Sequence, residues 1–233
     1  MFFYDWTYFL VLIGAAICMI ASANVKSTYQ RFSTQRSMTN MTGAQVAERL
    51  LRNAGLQDVR VGQVRGELSD HYNPATKMVN LSDSVYGSTS VAAIGVAAHE
   101  CGHAIQHAKG YFPLKFRTWF VPVANFGSKL AWPLILIGLF INSQSSQMII
   151  NAGIILFSFA VIFQLVTLPV EFNASSRALA LLEEQGILSQ QELPYTKKVL
   201  GAAALTYVAS AASAILQLLR VIILFGGRRR NDD

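Results

Sequence analysis

The stretch "VAAHECGHAIQHA", residues 96–108, sets two histidines four residues apart with a glutamate between them. On a helix, His99 and His103 project about 40° apart and one turn along the axis, so both imidazoles can reach one tetrahedral zinc ion. Glu100 points to the adjacent side, where a carboxylate can take a proton from water and deliver it to a leaving amine. The pattern H-E-x-x-H also occurs by chance, and a helix that binds no metal is the alternative. The stretch predicts a metal-dependent catalytic helix.

A zinc site of this kind needs a third protein ligand and an open position for water. The metzincin extension of the motif requires Gly at position 106 and His at position 109, but the chain has Gln106 and Lys109, which excludes that class. His107 lies one turn further along the helix, too far up the axis to join both other histidines comfortably. We expect it to support a ligand or to line the cavity.

Glu171 is the remaining candidate for the third ligand. It follows an apolar run, residues 148–170, and most of the chain between His103 and Glu171 is predicted to form a membrane hairpin with the uncharged turn "NSQSSQ". A two-helix hairpin returns the chain to the side it left, so Glu171 should emerge where the histidines are. The alternative is a plain interfacial carboxylate at a membrane boundary.

Four apolar runs indicate a membrane protein. The 233 residues are 52% hydrophobic and only 14% charged, which is more apolar than a soluble domain usually is. The second run reaches spanning length only if it extends back past Lys129, and the last run contains Arg220. The candidate membrane helices cover residues 6–23, 130–141, 148–170 and 201–225.

The first run has two interpretations. Ala21-Ser22-Ala23 resembles the cleavage site of a signal peptide. However, no Lys or Arg precedes the run, and Asp5 carries the wrong charge for the start of a signal peptide. An uncleaved membrane anchor is therefore favoured.

The net charge of +6 does not indicate a nucleic-acid partner, because the basic residues are scattered and no nucleic-acid motif occurs. The cluster "GGRRR", residues 226–230, is typical of a segment attracted to anionic lipid, or of a simple stop-transfer flank. Membrane lipid is the predicted partner. Cys18 and Cys101 form no disulfide framework and do not reveal the redox compartment.

The polar stretch between the first two membrane runs predicts a small soluble domain. Thr42 and Gln45 form a capping-box pattern, and Gly55 stands where the resulting helix should stop. The later residues Ser88, Thr89 and Ser90 offer N-caps for a helix over residues 90–108.

Two short runs in this domain alternate apolar and polar residues, one at Val59 and Val61 and one at Val79 and Leu81. An Asn73-Pro74 turn lies between them, so they predict a short β-hairpin. The second run precedes the zinc helix, and we expect Val79, Asn80 and Leu81 to form a sheet edge to which substrate backbone adds as a further strand. An ordinary strand with no partner is the alternative.

The sequence resembles the membrane-bound neutral zinc metallopeptidases, the YugP-like family, and more distantly the HtpX-type membrane proteases of the gluzincin group. The resemblance is carried by "AAHECGHAIQHA", "LPVEFNASSRA" and "DHYNPATKMVNLS" and covers most of the chain. It implies that His99, His103 and Glu171 hold zinc and that Glu100 is the general base.

One departure from the HtpX-type pattern affects the support of the ligands. Those enzymes carry an aspartate four residues after the ligand glutamate, where this chain has Ser175. Asn173 or Ser175 is predicted to orient a ligand histidine instead. Arg177 either stabilises the oxyanion or pairs with Glu183 or Glu184, and the structural role is favoured.

Basic residues predict the orientation in the membrane. They follow the first run, precede the second and follow the third, which places the catalytic groups on the cytoplasmic side, whereas the turn at 142–147 has none and belongs outside. The three arginines at residues 228–230 do not follow this rule, since a full fourth crossing would place them outside the cytoplasm. Either the run 201–225 does not cross fully or the rule is broken there.

The sequence therefore predicts an α+β fold, in which a small zincin-like domain with a short β-hairpin is attached to a bundle of about four membrane helices. The expected function is that of a multi-pass cell-membrane zinc metallopeptidase acting on membrane or membrane-proximal proteins, in membrane protein quality control. The alternatives are an intramembrane zinc protease and a non-catalytic zinc-binding scaffold. Scaffold sites tend to have four protein ligands and no adjacent base, which disfavours that alternative.

The apolar runs divide the chain into six expected segments. It comprises an N-terminal anchor (1–23), a soluble catalytic region (24–118), a membrane hairpin (119–170), a third-ligand region (171–200), a C-terminal membrane segment (201–225) and a basic tail (226–233).

Overall fold

The computed structural model describes residues 5–141 and 145–226, and the predicted basic cluster at 227–230 lies outside these residues. Within them the chain is mostly helical with one small sheet, which agrees with the expected mixture of helices and strands. The elements are α1 (Tyr8–Ser33), α2 (Gly43–Asn53), β1 (Arg60–Val64), β2 (His71–Asn73), β3 (Met78–Ser82), α3 (Asp83–Tyr86), α4 (Val91–Ala108), α5 (Phe112–Phe140), α6 (Ser146–Glu184) and α7 (Leu193–Phe225).

Among residues 5–141 and 145–226, four helices are long and apolar enough to cross a membrane, namely α1, α5, α6 and α7. Each of the four predicted runs overlaps one of them almost completely. The run 130–141 belongs to α5, whose 29 residues extend back past Lys129. The run 201–225 belongs to α7, whose 33 residues form one continuous helix, about 50 Å long at 1.5 Å per residue.

The chain divides into two compact units. The sheet unit comprises Ala21–Lys115 and Pro169–Thr206, and the helical unit comprises the described residues within Met1–Ile20, Phe116–Leu168 and Tyr207–Asp233. Each unit has its own cluster of buried apolar side chains. The candidate site lies within the sheet unit.

The predicted helix caps of the sheet unit are confirmed. Thr42 Oγ1 accepts a hydrogen bond from the Gln45 backbone N–H at 3.2 Å, and Gln45 Oε1 accepts one from the Thr42 N–H at 2.9 Å. Gly55, at φ +75°, follows the end of α2, in the left-handed region that glycine adopts without strain. Ser90 caps α4 by accepting a hydrogen bond from the Ala93 N–H at 3.2 Å.

The sheet has three strands in the order β1-β3-β2. Strand β2 pairs antiparallel with β3 across the turn after Asn73, whereas β1 pairs parallel with β3. The predicted hairpin between the two alternating runs is therefore wrong, because those runs became β1 and β3. The hairpin partner of β3 is β2, which is three residues long and too short to show an alternating pattern.

The predicted substrate edge at Val79, Asn80 and Leu81 is also wrong. These residues form the middle of β3, whose backbone pairs with a strand on each side. Val79 and Leu81 are fully buried, so they stabilise the core by about 1.5–3 kcal/mol each. The free edges of the sheet belong to β1 and β2.

Helix α4 forms the centre of the sheet unit, and most of its residues are buried. One side packs on α2, where its neighbours include Val46 and Leu50. On another side Gly102 approaches α6 so closely that an added Cβ would lie 2.7 Å from the Ala174 carbonyl oxygen. The absence of a side chain at Gly102 thus allows α4 and α6 to approach backbone to backbone.

In the helical unit, a polar cluster joins the start of α1 to the end of α7. The Arg220 guanidinium donates to Asp5 Oδ2 at 3.0 Å and to Thr7 Oγ1 at 3.2 Å, and it lies 4.3 Å from the centre of the Tyr8 ring. This cluster gives the charge of Arg220 three favourable partners in the apolar part of α7.

Candidate metal centre

The structure brings the three predicted ligands together. His99 and His103 lie one turn apart on α4, with ring centroids 4.7 Å apart, because the four-residue spacing places them on the same helix face. Glu171 extends from α6, and its Oε2 lies 3.3 Å from His99 Nε2 and 3.5 Å from His103 Nε2. One ligand atom from each residue lies within 4.8 Å of the others.

The donor set fits zinc. Two imidazole nitrogens and one carboxylate oxygen are the protein ligands of many catalytic zinc sites, which leave a fourth position for water or substrate. Both Nδ1 atoms face other side chains, Ser175 for His99 and Gln106 for His103. The Nε2 atoms are therefore the ones directed at Glu171, as a shared ion would require.

Of the two residues that the sequence analysis expected to orient a ligand histidine, Ser175 is the one that contacts His99. Its Oγ lies 3.1 Å from His99 Nδ1, at the position where HtpX-type proteases carry an aspartate. Asn173, the other candidate, has no direct hydrogen bond to a ligand histidine among the contacts described for this side chain. Its Oδ1 accepts hydrogen bonds from Gln106 and Arg177.

Gln106 supports the second histidine, and the sequence analysis missed this role. The side chain is fully buried, with Oε1 3.0 Å from His103 Nδ1. Its Nε2 donates to the Val170 carbonyl at 2.8 Å and to Asn173 Oδ1 at 3.0 Å. The available signal was the three-residue spacing from His103, which puts the two side chains on neighbouring positions of one helix.

Arg177 does not make either predicted ion pair. Its Nε donates to Asn173 Oδ1 at 2.7 Å, and its guanidinium carbon lies 6.0 Å from the centre of the Tyr111 ring. Glu183 instead accepts a hydrogen bond from Gln190. Asn173 is one turn from Arg177 and shares its helix face, whereas Glu183 and its neighbour Glu184 lie almost two turns further along.

His107 is exposed, and its Nδ1 lies 2.9 Å from the Tyr72 hydroxyl. This contact joins α4 to β2. The contact described for His107 is thus with Tyr72 and not with a ligand histidine, and its role as a support or a cavity-lining residue stays a prediction. The extra turn along α4 carries its ring away from the ligand pair, and Gln106 occupies the supporting position instead.

Negative charge surrounds the second histidine. Burial disfavours a charged imidazole, but the hydrogen bond that His103 donates to Glu171 and the charges of Glu100 and Glu171 outweigh that effect and raise the pKa of His103. Glu100 is itself only 8% exposed. A site with this balance of charge attracts a cation.

Known proteins provide a second line of evidence. Residues 7–226 match the family described as "Putative neutral zinc metallopeptidase". The chain is 45% identical over 224 residues to a protein of Bacillus subtilis (strain 168) named "Putative membrane protease YugP", and the match covers 96% of this chain and 98% of that relative. No solved structure matches the chain. The family name implies zinc, and the donor set of His99, His103 and Glu171 fits that metal. On the strength of the two matches, the chain belongs to this family of neutral zinc metallopeptidases.

Proposed function

We propose that the chain is a membrane-integrated zinc metalloendopeptidase in which His99, His103 and Glu171 hold the metal. The observation that carries the proposal is the convergence of three ligand atoms within 4.8 Å beside a buried glutamate. A catalytic zinc site needs this combination of three protein ligands, an open position and a nearby base.

Glu100 is the proposed general base. When bound, zinc supplies Lewis-acid chemistry, polarising the peptide carbonyl and making water more acidic. The Glu100 carboxylate takes a proton from the attacking water and delivers it to the leaving amine nitrogen. Its burial favours this role, because a carboxylate with little water around it interacts strongly with a nearby proton donor.

The arrangement around Cys101 disfavours the non-catalytic scaffold. A structural site is usually closed by a fourth protein ligand, often a cysteine, and Cys101 lies within the H-E-x-x-H motif. Its Sγ, however, points to the Ala47 carbonyl at 3.6 Å and is fully buried. The metal-ligating cluster found among residues 5–141 and 145–226 contains only the two histidines and Glu171.

The substrates we propose are membrane or membrane-proximal proteins, cleaved during membrane protein quality control. Four apolar helices support a multi-pass membrane location. The site belongs to the sheet unit, whose strands β1 and β2 carry exposed residues, and this favours cleavage beside the membrane over cleavage within it.

Two substitutions test the metal and the base separately. His103→Ala should lose the zinc found by elemental analysis, while His71→Ala, an exposed histidine on β2, should keep it. Glu100→Gln should keep the zinc but lose at least about 10²-fold in peptide hydrolysis, while Glu48→Gln, exposed on α2, should remain active. Equal zinc in the parental and His103→Ala proteins, or full activity of Glu100→Gln, contradicts the proposal.

We also propose that the active site faces the cytoplasm, on the basis of the basic residues that flank α1, α5 and α6. Single cysteines can be introduced at Glu67, Gln190 and Ser145 in a Cys18→Ser background. An impermeant maleimide applied to intact cells should label only the cysteine at Ser145, and opening the membrane should expose the other two. Labelling of Glu67→Cys in intact cells contradicts this orientation.

A further inference from the structure

We propose that Gln106 is a positioning residue that fixes the tautomer of His103 and so presents its Nε2 to the metal. The inference rests on the proposed zinc site, and it adds a function for a residue that touches no reacting atom. It follows from the direction of each hydrogen bond around the Gln106 amide.

The first constraint comes from Val170. A backbone carbonyl can only accept a hydrogen bond, so the Gln106 NH₂ group must face the Val170 oxygen, 2.8 Å away. The amide oxygen then faces His103 Nδ1 at 3.0 Å. This oxygen can only accept and is closer to the ring than the competing acceptor Glu171 Oε2, which lies 3.5 Å from Nε2. It therefore favours the neutral tautomer with the proton on Nδ1, which leaves the Nε2 lone pair for a metal.

The second constraint comes from Arg177. A guanidinium can only donate, so the atom of Asn173 that lies 2.7 Å from Arg177 Nε must be the amide oxygen. The same oxygen lies 3.0 Å from Gln106 Nε2 and needs a donor there. Val170 and Arg177 are groups with opposite hydrogen-bonding capacity, and both impose the same orientation on Gln106.

Burial prevents the alternative orientation. Gln106 is fully buried, and a reversed amide would place its oxygen against both the Val170 carbonyl and Asn173 Oδ1. No water could compensate for these two acceptor–acceptor contacts without opening the core. The orientation of the amide is thus determined by its surroundings and not by the metal.

The two ligand histidines differ in this respect. His99 Nδ1 faces the Ser175 hydroxyl, which can rotate to donate or to accept and so tolerates either tautomer. His103 Nδ1 instead faces the Gln106 amide oxygen, which favours only the tautomer with a proton on Nδ1. Gln106 also bonds the carbonyl of the residue before Glu171, which links the histidine helix to the backbone of the third ligand.

The tautomer can be measured without metal. The chain contains four histidines, so ¹⁵N-histidine labelling of zinc-free protein in detergent gives few ring signals, and His103→Ala assigns that of His103. At a pH high enough to make the imidazole neutral, the parental signal should report a proton on Nδ1. Gln106→Met should lose this preference, Gln106→Glu should retain it because a carboxyl oxygen still accepts, and the exposed control Gln190→Met should resemble the parental protein.

Zinc affinity provides the second measurement. Competition with a chelator should show zinc binding weakened about 10- to 100-fold in Gln106→Met, the usual effect of losing a partner of a metal-ligating histidine. In Gln106→Glu, a buried protonated carboxyl still donates to the Val170 carbonyl while its other oxygen accepts from His103, so its zinc affinity should stay closer to the parental value. A purely structural role predicts equal losses in both variants.

Three outcomes overturn the inference: a parental His103 that carries its proton on Nε2, a Gln106→Met protein with the parental tautomer and zinc affinity, or equal zinc losses in the two Gln106 variants. Should Gln106→Met fail to fold, the tautomer of Gln106→Glu decides alone, and a proton on Nε2 there overturns it. Failure of the parental protein to bind zinc refutes the proposed function, while the metal-free tautomer still tests the role of Gln106.

Discussion

The approach of α4 to α6 at Gly102 makes the substitution Gly102→Ala a sensitive test of the site. The added methyl carbon would lie 2.7 Å from the Ala174 carbonyl oxygen, whereas ordinary contacts begin at 3.4 Å. The obstacle is backbone and cannot rotate away, so the two helices must separate by about 0.7 Å, the difference between these two distances. Gly102 precedes His103, and Ala174 lies between Glu171 and Ser175, so the separation acts directly on the ligands.

We expect two measurable effects. Overpacking of a core costs about 1–3 kcal/mol, which lowers the thermal unfolding midpoint of a chain of this size by roughly 2–12 °C. A metal site tolerates displacements of about 0.5 Å, and misplacement by about 1 Å can cost 10²-fold in rate. Zinc affinity and peptidase activity should therefore fall together.

The matched control is Gly201→Ala, a glycine exposed in α7 with no atom within 4 Å of an added Cβ. Alanine is the better helix former, so this variant should be more stable by about 0.5–1 kcal/mol and fully active. Parental unfolding midpoint, zinc content and activity in Gly102→Ala would refute the argument that the close approach of α4 and α6 builds the site.

Three further predictions concern single side chains. Ser175→Ala should weaken zinc binding about 10-fold or more in chelator competition, because the first ligand histidine loses its supporting hydroxyl, and unchanged affinity contradicts this. Burial raises the pKa of the Cys101 thiol, so in a Cys18→Ser protein maleimide should label Cys101 only after denaturation. Asp5→Asn and Arg220→Gln should each lower the unfolding midpoint, and the double variant should lose less than the sum of the two; additive losses would show that the ion pair contributes nothing.

Local signals in the sequence identified the features that depend on neighbours along one helix. The Thr42 capping box and the Ser90 N-cap were readable because cap and partner lie three residues apart. The His99–His103 pair was readable for the same reason. Glu171 required a longer argument, from the return of a membrane hairpin, and the structure places its carboxylate beside both histidines.

The features that escaped prediction depend on partners far along the chain. Strand β2 has three residues, too few for a period, and its pairing makes β3 central where the sequence suggested an edge. Gln106 gains its role from the Val170 carbonyl, a backbone atom that no residue pattern reveals. The partner of Arg177 was not identified because Asn173 and two glutamates all lie within two helical turns of it. The packing of α6 determines that Arg177 bonds Asn173.

The ion pair between Asp5 and Arg220 has a consequence for biosynthesis. The two residues lie 215 positions apart, and at typical ribosomal speeds about 10 to 45 s pass between their synthesis. Throughout that interval Asp5 lacks its cation, and the Thr7 hydroxyl is the partner that local sequence can supply. The nascent chain therefore completes this cluster only when α7 has been made. A product truncated before Arg220 leaves the Asp5 carboxylate without its cation just ahead of α1, a defect that distinguishes it from a chain containing α7.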